Sequence, residues 1–524
     1  MTHLFPKSRL NTPAPTPALA AAPARSRTCD GLPALTALAV ALAASGVLVL
    51  AGCASSAGIS SAAQPLNPSA LGLAAGVNAP ELAPDWWHAF NDAELNGLVE
   101  RALAGNPSLK VAQARLLRAQ AGVESTQSAD GVQVNGSLDL QRQQYTANGL
   151  YPPPLAGSVR SSGTLQATAS WEFDFFGRNQ AALQTALGTQ RAAQAELQAA
   201  RVLLASSVAR GYVQLARLVE QREIAARSLA QRGEILALIR QRVQGGLDTR
   251  LELRQGEGAL PESRQQIEAL DEQITLARHA LAALSAQAPD ALAGLSPRLQ
   301  AVQAVPLPAA VPADLLGRRA DISAARWRVT AATQDVVSAK AQFYPNINLV
   351  GFAGLSSIGL DRLFKSGSEL YGVGPAIRLP IFDAGRLRAN LRGKAADLDA
   401  AVETYNGAVI DAMHEVADQI SSLQSIARQR AEQGQAQLAA EQAYDVALQR
   451  YKAGLVTYLV VLGAEANVLG QRRLATDLSA RALDTQVALI RALGGGYVAE
   501  PNLAAATDRP MLEQTAQAGR QAAH

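Results

Sequence analysis

Leu165-Gln166-Ala167-Thr168-Ala169-Ser170-Trp171-Glu172-Phe173-Asp174-Phe175 alternates apolar and polar residues without a break. A period of two sends successive side chains to opposite faces of a β-strand, so this segment has one greasy and one wet side. Val132, Val134, Gly136, Leu138 and Leu140 repeat the pattern upstream against Gln133, Asn135, Ser137, Asp139 and Gln141. Downstream the alternation is rougher, through Ile347, Leu349, Gly351 and Ala353 and then Val373, Pro375, Ile377, Leu379 and Ile381. Strands are therefore predicted over about 132–141, 164–175, 346–355 and 370–382. A soluble sandwich would alternate as well. A run of about ten residues with Trp171 and Phe173 near one end, however, has the length of a tilted strand that crosses a bilayer. Four strands cannot close, and lipid does not tolerate an open sheet edge, so several copies must share one barrel. Three copies give roughly twelve strands around a water-filled bore. The polar faces, with Asp139, Glu172 and Asp174, are expected to line it. Tyr151-Pro152-Pro153-Pro154 and Ser356-Ser357-Ile358-Gly359 are expected as outer loops between paired strands.

Each strand pair leads into a long stretch almost free of helix breakers, from Gly177 to Gly245 and from Gly385 to Gly454. At 1.5 Å per residue each would form a helix of ~100 Å. Heptad spacing at Leu197, Leu204, Gly211 and Leu218, at Leu229, Leu236 and Val243, and at Val402, Val409, Val416 and Leu423 predicts coiled-coil packing. A glycine ends each long helix and a shorter amphipathic helix returns, giving two antiparallel hairpins, the first kinked at Pro261. The two halves are duplicates about 208 residues apart, with Gly177 matching Gly385 and Arg242-Val243-Gln244-Gly245-Gly246-Leu247 matching Arg450-Tyr451-Lys452-Ala453-Gly454-Leu455. A weaker echo at a shifted offset joins Ala114-Arg115 to Ala325-Arg326.

The N-terminus has the order of a secretory signal: Lys7, Arg9, Arg25 and Arg27 precede an apolar run from about Leu35 to Ala51. That run is too short to span a bilayer and ends in Leu50-Ala51-Gly52-Cys53, which resembles a bacterial lipoprotein box. Cys53 is thus expected to carry the acyl chains, palmitate included, of an anchor, and Ala54 after it implies sorting to the outer membrane. No other stretch is expected to span as a helix. Cys29 and Cys53 are the two cysteines, which leaves the mature body without a disulfide framework. Hydrophobic residues make up 48% but aromatics only 4%, so the apolar content is mostly the Ala, Leu and Val of close-packed helices. Lys/Arg and Asp/Glu alternate instead of clustering, so no nucleic-acid footprint appears. His3, His88, His279, His414 and His524 are scattered, and no phosphate loop or zinc motif occurs. Neither an enzyme, a cofactor nor a metal site is expected.

Trp86-Trp87-His88-Ala89-Phe90-Asn91-Asp92, Asn106-Pro107, Gly317-Arg318-Arg319-Ala320-Asp321-Ile322, Phe343-Tyr344-Pro345-Asn346-Ile347 and Leu379-Pro380-Ile381-Phe382-Asp383-Ala384-Gly385-Arg386 stand in order along the chain. Together they resemble the TolC-like outer-membrane efflux lipoproteins, the NodT group, from roughly Pro84 to Gly496. The resemblance implies a mixed α/β membrane protein: a homotrimer with a shared 12-stranded barrel, four strands per chain, and a coiled-coil tunnel crossing the periplasm to an adaptor protein and an inner-membrane pump. It implies passive export of drugs or other small toxic compounds, hence multidrug resistance, from a lipid-anchored site in the outer membrane. The division that follows is a signal peptide over 1–52, a lipidated tether over 53–84, repeat 1 over 85–290, an equatorial linker over 291–312, repeat 2 over 313–496 and a flexible tail over 497–524. The tips, Gly245-Gly246-Leu247 at 245–247 and Ala453-Gly454-Leu455 at 453–455, fall where the family meets its adaptor. The family's gate aspartates correspond to Val460 and Gly463 here, so a carboxylate ring is not expected. Asp248, Glu252 and Glu465 either substitute for it or solvate a helix face, and Tyr451 and Tyr458 either tie the closed tip or pack. Trp86-Trp87 anchors at the bilayer interface or, as favoured, packs the first helix. A type I protein-secretion duct would share the architecture, and a pore-less coiled-coil lipoprotein would explain everything except the strands.

Overall fold

A computed structural model describes residues 55–66, 82–303, 305 and 317–498. The signal peptide, Cys53 and residues from 499 onward lie outside them. The described elements are a 3-10 turn at Trp86–Phe90, α1 (Ala93–Gly105), α2 (Pro107–Ala129), β1 (Gln133–Gln144), β2 (Val159–Phe173), α3 (Arg178–Gln244), α4 (Arg250–Leu284), α5 (Ala320–Ala341), β3 (Asn346–Ile358), β4 (Glu369–Arg378), α6 (Arg386–Lys452) and α7 (Tyr458–Ala492). The duplication is visible in their lengths: α3 and α6 both have 67 residues, α4 and α7 both 35. Each pair starts and ends 208 residues apart. The earlier elements follow a different offset. The caps Asn106 and Arg319, and the strand registers Gln133↔Ser170 and Asn346↔Arg378, relate α2 and β1 to α5 and β3 by 213 residues. The repeat mate of Ala114-Arg115 is therefore Trp327-Arg328, not Ala325-Arg326.

The strands form one antiparallel sheet in the order β1-β2-β3-β4. Their bounds correct the expected ones. β2 starts earlier and stops at Phe173, short of the expected 175. β1 runs on to Gln144, because Arg142, Gln143 and Gln144 pair with Ser161, Arg160 and Val159 although none of these alternates in polarity. Ser356, Ser357 and Ile358 are not loop but the end of β3, opposite Thr164, Gly163 and Ser162. β4 ends at Arg378, before Leu379, because Pro380 has no N–H to give a ladder. Gly354 is required within β3: a Cβ there would stand 2.2 Å from the carbonyl oxygen of Leu165.

The helices pack around a core in which Trp86, Trp87, Phe90, Leu95 and Leu98 meet Val208, Tyr212 and Leu215 of α3. Trp86 and Trp87 are thus buried packing residues. Of the eleven predicted heptad positions, Leu204, Leu218, Leu236, Val402, Val409 and Val416 are buried, whereas Leu197, Gly211, Leu229, Val243 and Leu423 are half-buried. One eighteen-residue window of α3 does reach a mean hydropathy of 1.2, contrary to the expectation that no mature segment is apolar enough to span; it is 61% buried in this core. α4 runs through Pro261 as one helix. The described part of the expected linker, to residue 303, is built in, with Leu292, Leu299 and Val302 inside the core. The tether is also docked: Asp399 of α6 accepts from Ser61 Oγ and the backbone N–H of Ala62 and Ala63, and Asn406 accepts from the N–H of Leu66.

The signature residues at the start of repeat 2 have a structural cause. Arg319, 8% exposed, is bidentate to Asp321 and reaches Glu415 and the carbonyl oxygen of Ala492. It joins α5, α6 and the end of α7. In repeat 1, Asp92 caps α1 and accepts from Tyr212 Oη at 2.8 Å.

Candidate functional site at the hairpin tips

Both tips are the same helix stop. The N–H of Leu247 bonds the carbonyl of Arg242 at 2.8 Å and that of Gly246 bonds Val243; Leu455 and Gly454 repeat this on Arg450 and Tyr451. Such a paired closure needs a left-handed residue, and Gly246 and Gly454 both stand at φ 73°. The turn leaves Leu247 and Leu251 of one tip, and Leu455 and Leu459 of the other, exposed.

Across the tips the duplication breaks down, and that is where the chemistry lies. Arg242 grips Asp248 with two bonds, 2.9 and 3.2 Å, while Tyr451 Oη donates to the same carboxylate and its ring lies 4.7 Å beneath the guanidinium. The repeat mates of Asp248 and Tyr451 are Val456 and Val243, so the latch exists once per chain and ties hairpin 1 to hairpin 2. Burial alone would raise the Asp248 carboxyl, but the bonds from Arg242 and Tyr451 outweigh it and hold it below the usual carboxylate value of 3.8. Burial and the bond to Asp248 push the Tyr451 phenol up, so it stays a donor. A depressed carboxyl stabilises the latch above its ordinary pKa and ceases to do so only as pH falls through the lowered value. Tip closure, measured as conductance in a planar bilayer, is accordingly expected to be flat from about pH 8 to about pH 5 and to weaken only below about pH 4, a step that Asp248→Asn abolishes.

Higher up, Glu465 is 2% exposed. One of its oxygens accepts from Arg232 Nε at 2.8 Å and Ser228 Oγ at 3.1 Å, and its second oxygen is buried with no partner. Arg232 also reaches the Ala259 carbonyl and Ser263 Oγ, so it joins α3, α4 and α7. Tyr458 is buried against Tyr451, ring centres 6.0 Å apart. Glu252 completes a capping box with Thr249 at the start of α4. Arg242 and Arg232 were not singled out in the sequence, because an arginine six residues before an aspartate, or a whole hairpin away from a glutamate, leaves no local signal. Val460 and Gly463 lie exposed on the first turns of α7, which carry no acidic residue.

On the sheet, the pairing Asp139↔Thr164 and Glu172↔Asn348 puts Asp139 and Glu172 on one polar face with Gln166 and Thr168. Glu172 is bound by Arg178 at 2.7 Å. Asp174 is a correction: it lies past the end of β2 and accepts from the N–H of Gln180, serving the first turn of α3. The opposite face carries Leu138, Leu165, Trp171, Leu349, Val373 and Ile377, all exposed. Among the described residues no group of His, Cys, Asp and Glu is arranged to hold a metal ion.

The chain is 32% identical over 462 residues to the putative multidrug resistance outer membrane protein MdtQ of Escherichia coli strain K12, covering 86% of this chain and 96% of that one. It is 37% identical over 377 residues to the fusaric acid resistance protein FusA of Burkholderia cepacia, 70% of each chain. Its fold matches the crystal structure of the outer membrane protein VceC from Vibrio cholerae with a TM-score of 0.75 and 37% identity, over 79% of this chain and 100% of that chain. The sequence profile named for outer membrane efflux proteins matches twice, over residues 98–287 and 311–495, one match for each half of the duplicated body. With its exposed apolar sheet, long hairpins and double match, the chain belongs to the outer membrane efflux protein family.

Proposed function

We propose that the chain is the outer-membrane channel of a tripartite efflux pump, a passive duct through which drugs or other small toxic compounds leave the cell. The observation that carries this reading is the four-stranded sheet, apolar and exposed on one face, polar on the other and unpaired along both edges, mounted on helices of ~100 Å. An open edge in lipid costs several kcal/mol per unmatched group, so the sheet calls for identical neighbours, and three give a bore of roughly twelve strands. Lipid on Cys53 would hold the docked tether at the membrane. The duct supplies no energy: a pump and adaptor would push substrate, and the tips would part as hairpins splay. The exposed leucines and tight turns at Gly246 and Gly454 are the surface we assign to the adaptor. Leu247→Glu with Leu455→Glu, at exposed positions that leave both glycine turns in place, should abolish pump-dependent resistance while leaving outer-membrane assembly intact; resistance at the parental level would remove the adaptor assignment. The whole reading is tested by deleting the gene and by reconstituting purified protein. Sensitivity to several compound classes and trimer-sized conductance are expected, whereas a folded, conducting monomer would overturn it.

A further inference from the structure

The repeat offsets predict how one copy meets the next, strand by strand. Within the chain β2 and β3 form the junction between the two halves, pairing Thr164↔Ser356 and Ala169↔Gly351. The duplication carries β2 onto β4 by 208 residues and β3 back onto β1 by 213. Applied to the junction, it places Gly372 opposite Gln143, Gly374 opposite Gln141 and Ile377 opposite Leu138. These strands are the two free edges of the same sheet, so within one chain they cannot meet. We infer that β4 pairs antiparallel with β1 of a neighbouring copy in this register, with Ile377 facing the partner's Leu138 and Arg378 reaching diagonally to the partner's Asp139. The inference rests on the trimer proposed above and adds to it the seam.

Three features of the chain agree with this pairing. The apolar residues Val373 and Ile377 fall on the same face as Leu140 and Leu138, so the lipid-facing surface continues across the seam; a slip of one residue would turn it inward. On the bore face Arg378 stands opposite Ser137 and diagonal to Asp139, within reach of a long side chain, and neither charge pairs with an opposite charge among the described residues of its own chain. The helices beneath show the same vacancy. None of α2's residues is buried, whereas its repeat mate α5, packed between α3 and α6, buries ten. α2 therefore lacks the neighbour that α5 has, and α6 of the next copy is that neighbour's repeat equivalent.

Cysteine cross-linking tests the register. A Cβ at Gly374 meets nothing within 4 Å, so the side chain is accommodated, and both members of the pair face the wet bore. Gly374→Cys with Gln141→Cys should give linked dimers and trimers on oxidation, at roughly tenfold or more the yield of Gly374→Cys with Gln143→Cys or with Asp139→Cys, because a disulfide tolerates only a narrow Cβ separation. Charge reversal supplies an independent reading: Asp139→Arg and Arg378→Asp should each lower the temperature at which the trimer dissociates in detergent, and the double variant should restore it. An intact trimer that links through a shifted pair, or whose charge reversals do not rescue each other, overturns the register and leaves the trimer standing. A protein that never trimerises overturns both.

Discussion

Glu465→Leu is expected to loosen the two hairpins of one chain from each other more than any other single change in the tip region. It leaves Arg232, 11% exposed in its side chain, as a buried charge without its strong partner; beside its bonds to the Ala259 carbonyl and Ser263 Oγ, the acidic contact that remains is Glu262 at 3.6 Å. Breaking a buried pair from one side typically costs ~3–5 kcal/mol, whereas replacing both partners by apolar groups is close to neutral. Arg232→Met with Glu465→Leu should therefore recover most of the stability lost by Glu465→Leu alone. Thermal unfolding of the detergent-solubilised protein reads the cycle directly. If the single and double variants unfold together, the ion pair is not what joins α3 to α7. The pair is also specific to one junction. Its repeat mates are Ala440 and Glu257, and Glu257 turns instead to Arg254 at 2.8 Å on its own helix and to Arg240 at 3.8 Å. By the same repeat rule the seam between copies has no such clasp, so the hairpins of one chain should move as a pair until Arg232 and Glu465 separate.

Much of the architecture was legible because it is periodic. Two-residue alternation found the four strands, the seven-residue repeat found the buried heptad positions, and the duplicated glycines fixed both tips. What periodicity missed is aperiodic. The ends of the strands depend on pairing and on one proline, Pro380, so β1 and β3 run on through residues whose polarity does not alternate. Asp174 continued the alternation and was taken for a bore residue, but a helix start competes for its carboxylate and wins. The capping role of Glu252 was written in the Thr249-x-x-Glu252 spacing and could have been found there. The latch was half visible: Tyr451 stood out, with Tyr458, as a possible tie and Asp248 as a possible gate charge, but their pairing, and Arg242, which holds the aspartate, required the fold to bring them together. Glu465 looked like an exposed charge because nothing near it in sequence is basic; its partner is 233 residues away.

Asp248→Ala should convert a closed tip into a leaky one. Among the described residues the carboxylate is the only acceptor that Arg242 and Tyr451 share, and with it gone the 11% exposed guanidinium is left against the Tyr451 ring. Tyr451→Phe is the milder version: it keeps the ring and the Arg242–Asp248 pair and removes one bond to a charged group, worth ~1.5–3 kcal/mol. Since ~1.4 kcal/mol is tenfold in an equilibrium, the closed-to-open ratio should fall by roughly ten- to a hundredfold for Tyr451→Phe and further for Asp248→Ala. Single-channel recording gives the open fraction, and susceptibility to a large antibiotic normally held out by the outer membrane gives the cellular consequence. An open fraction unchanged by Asp248→Ala would mean that the latch only packs, and that some other contact holds the hairpins shut.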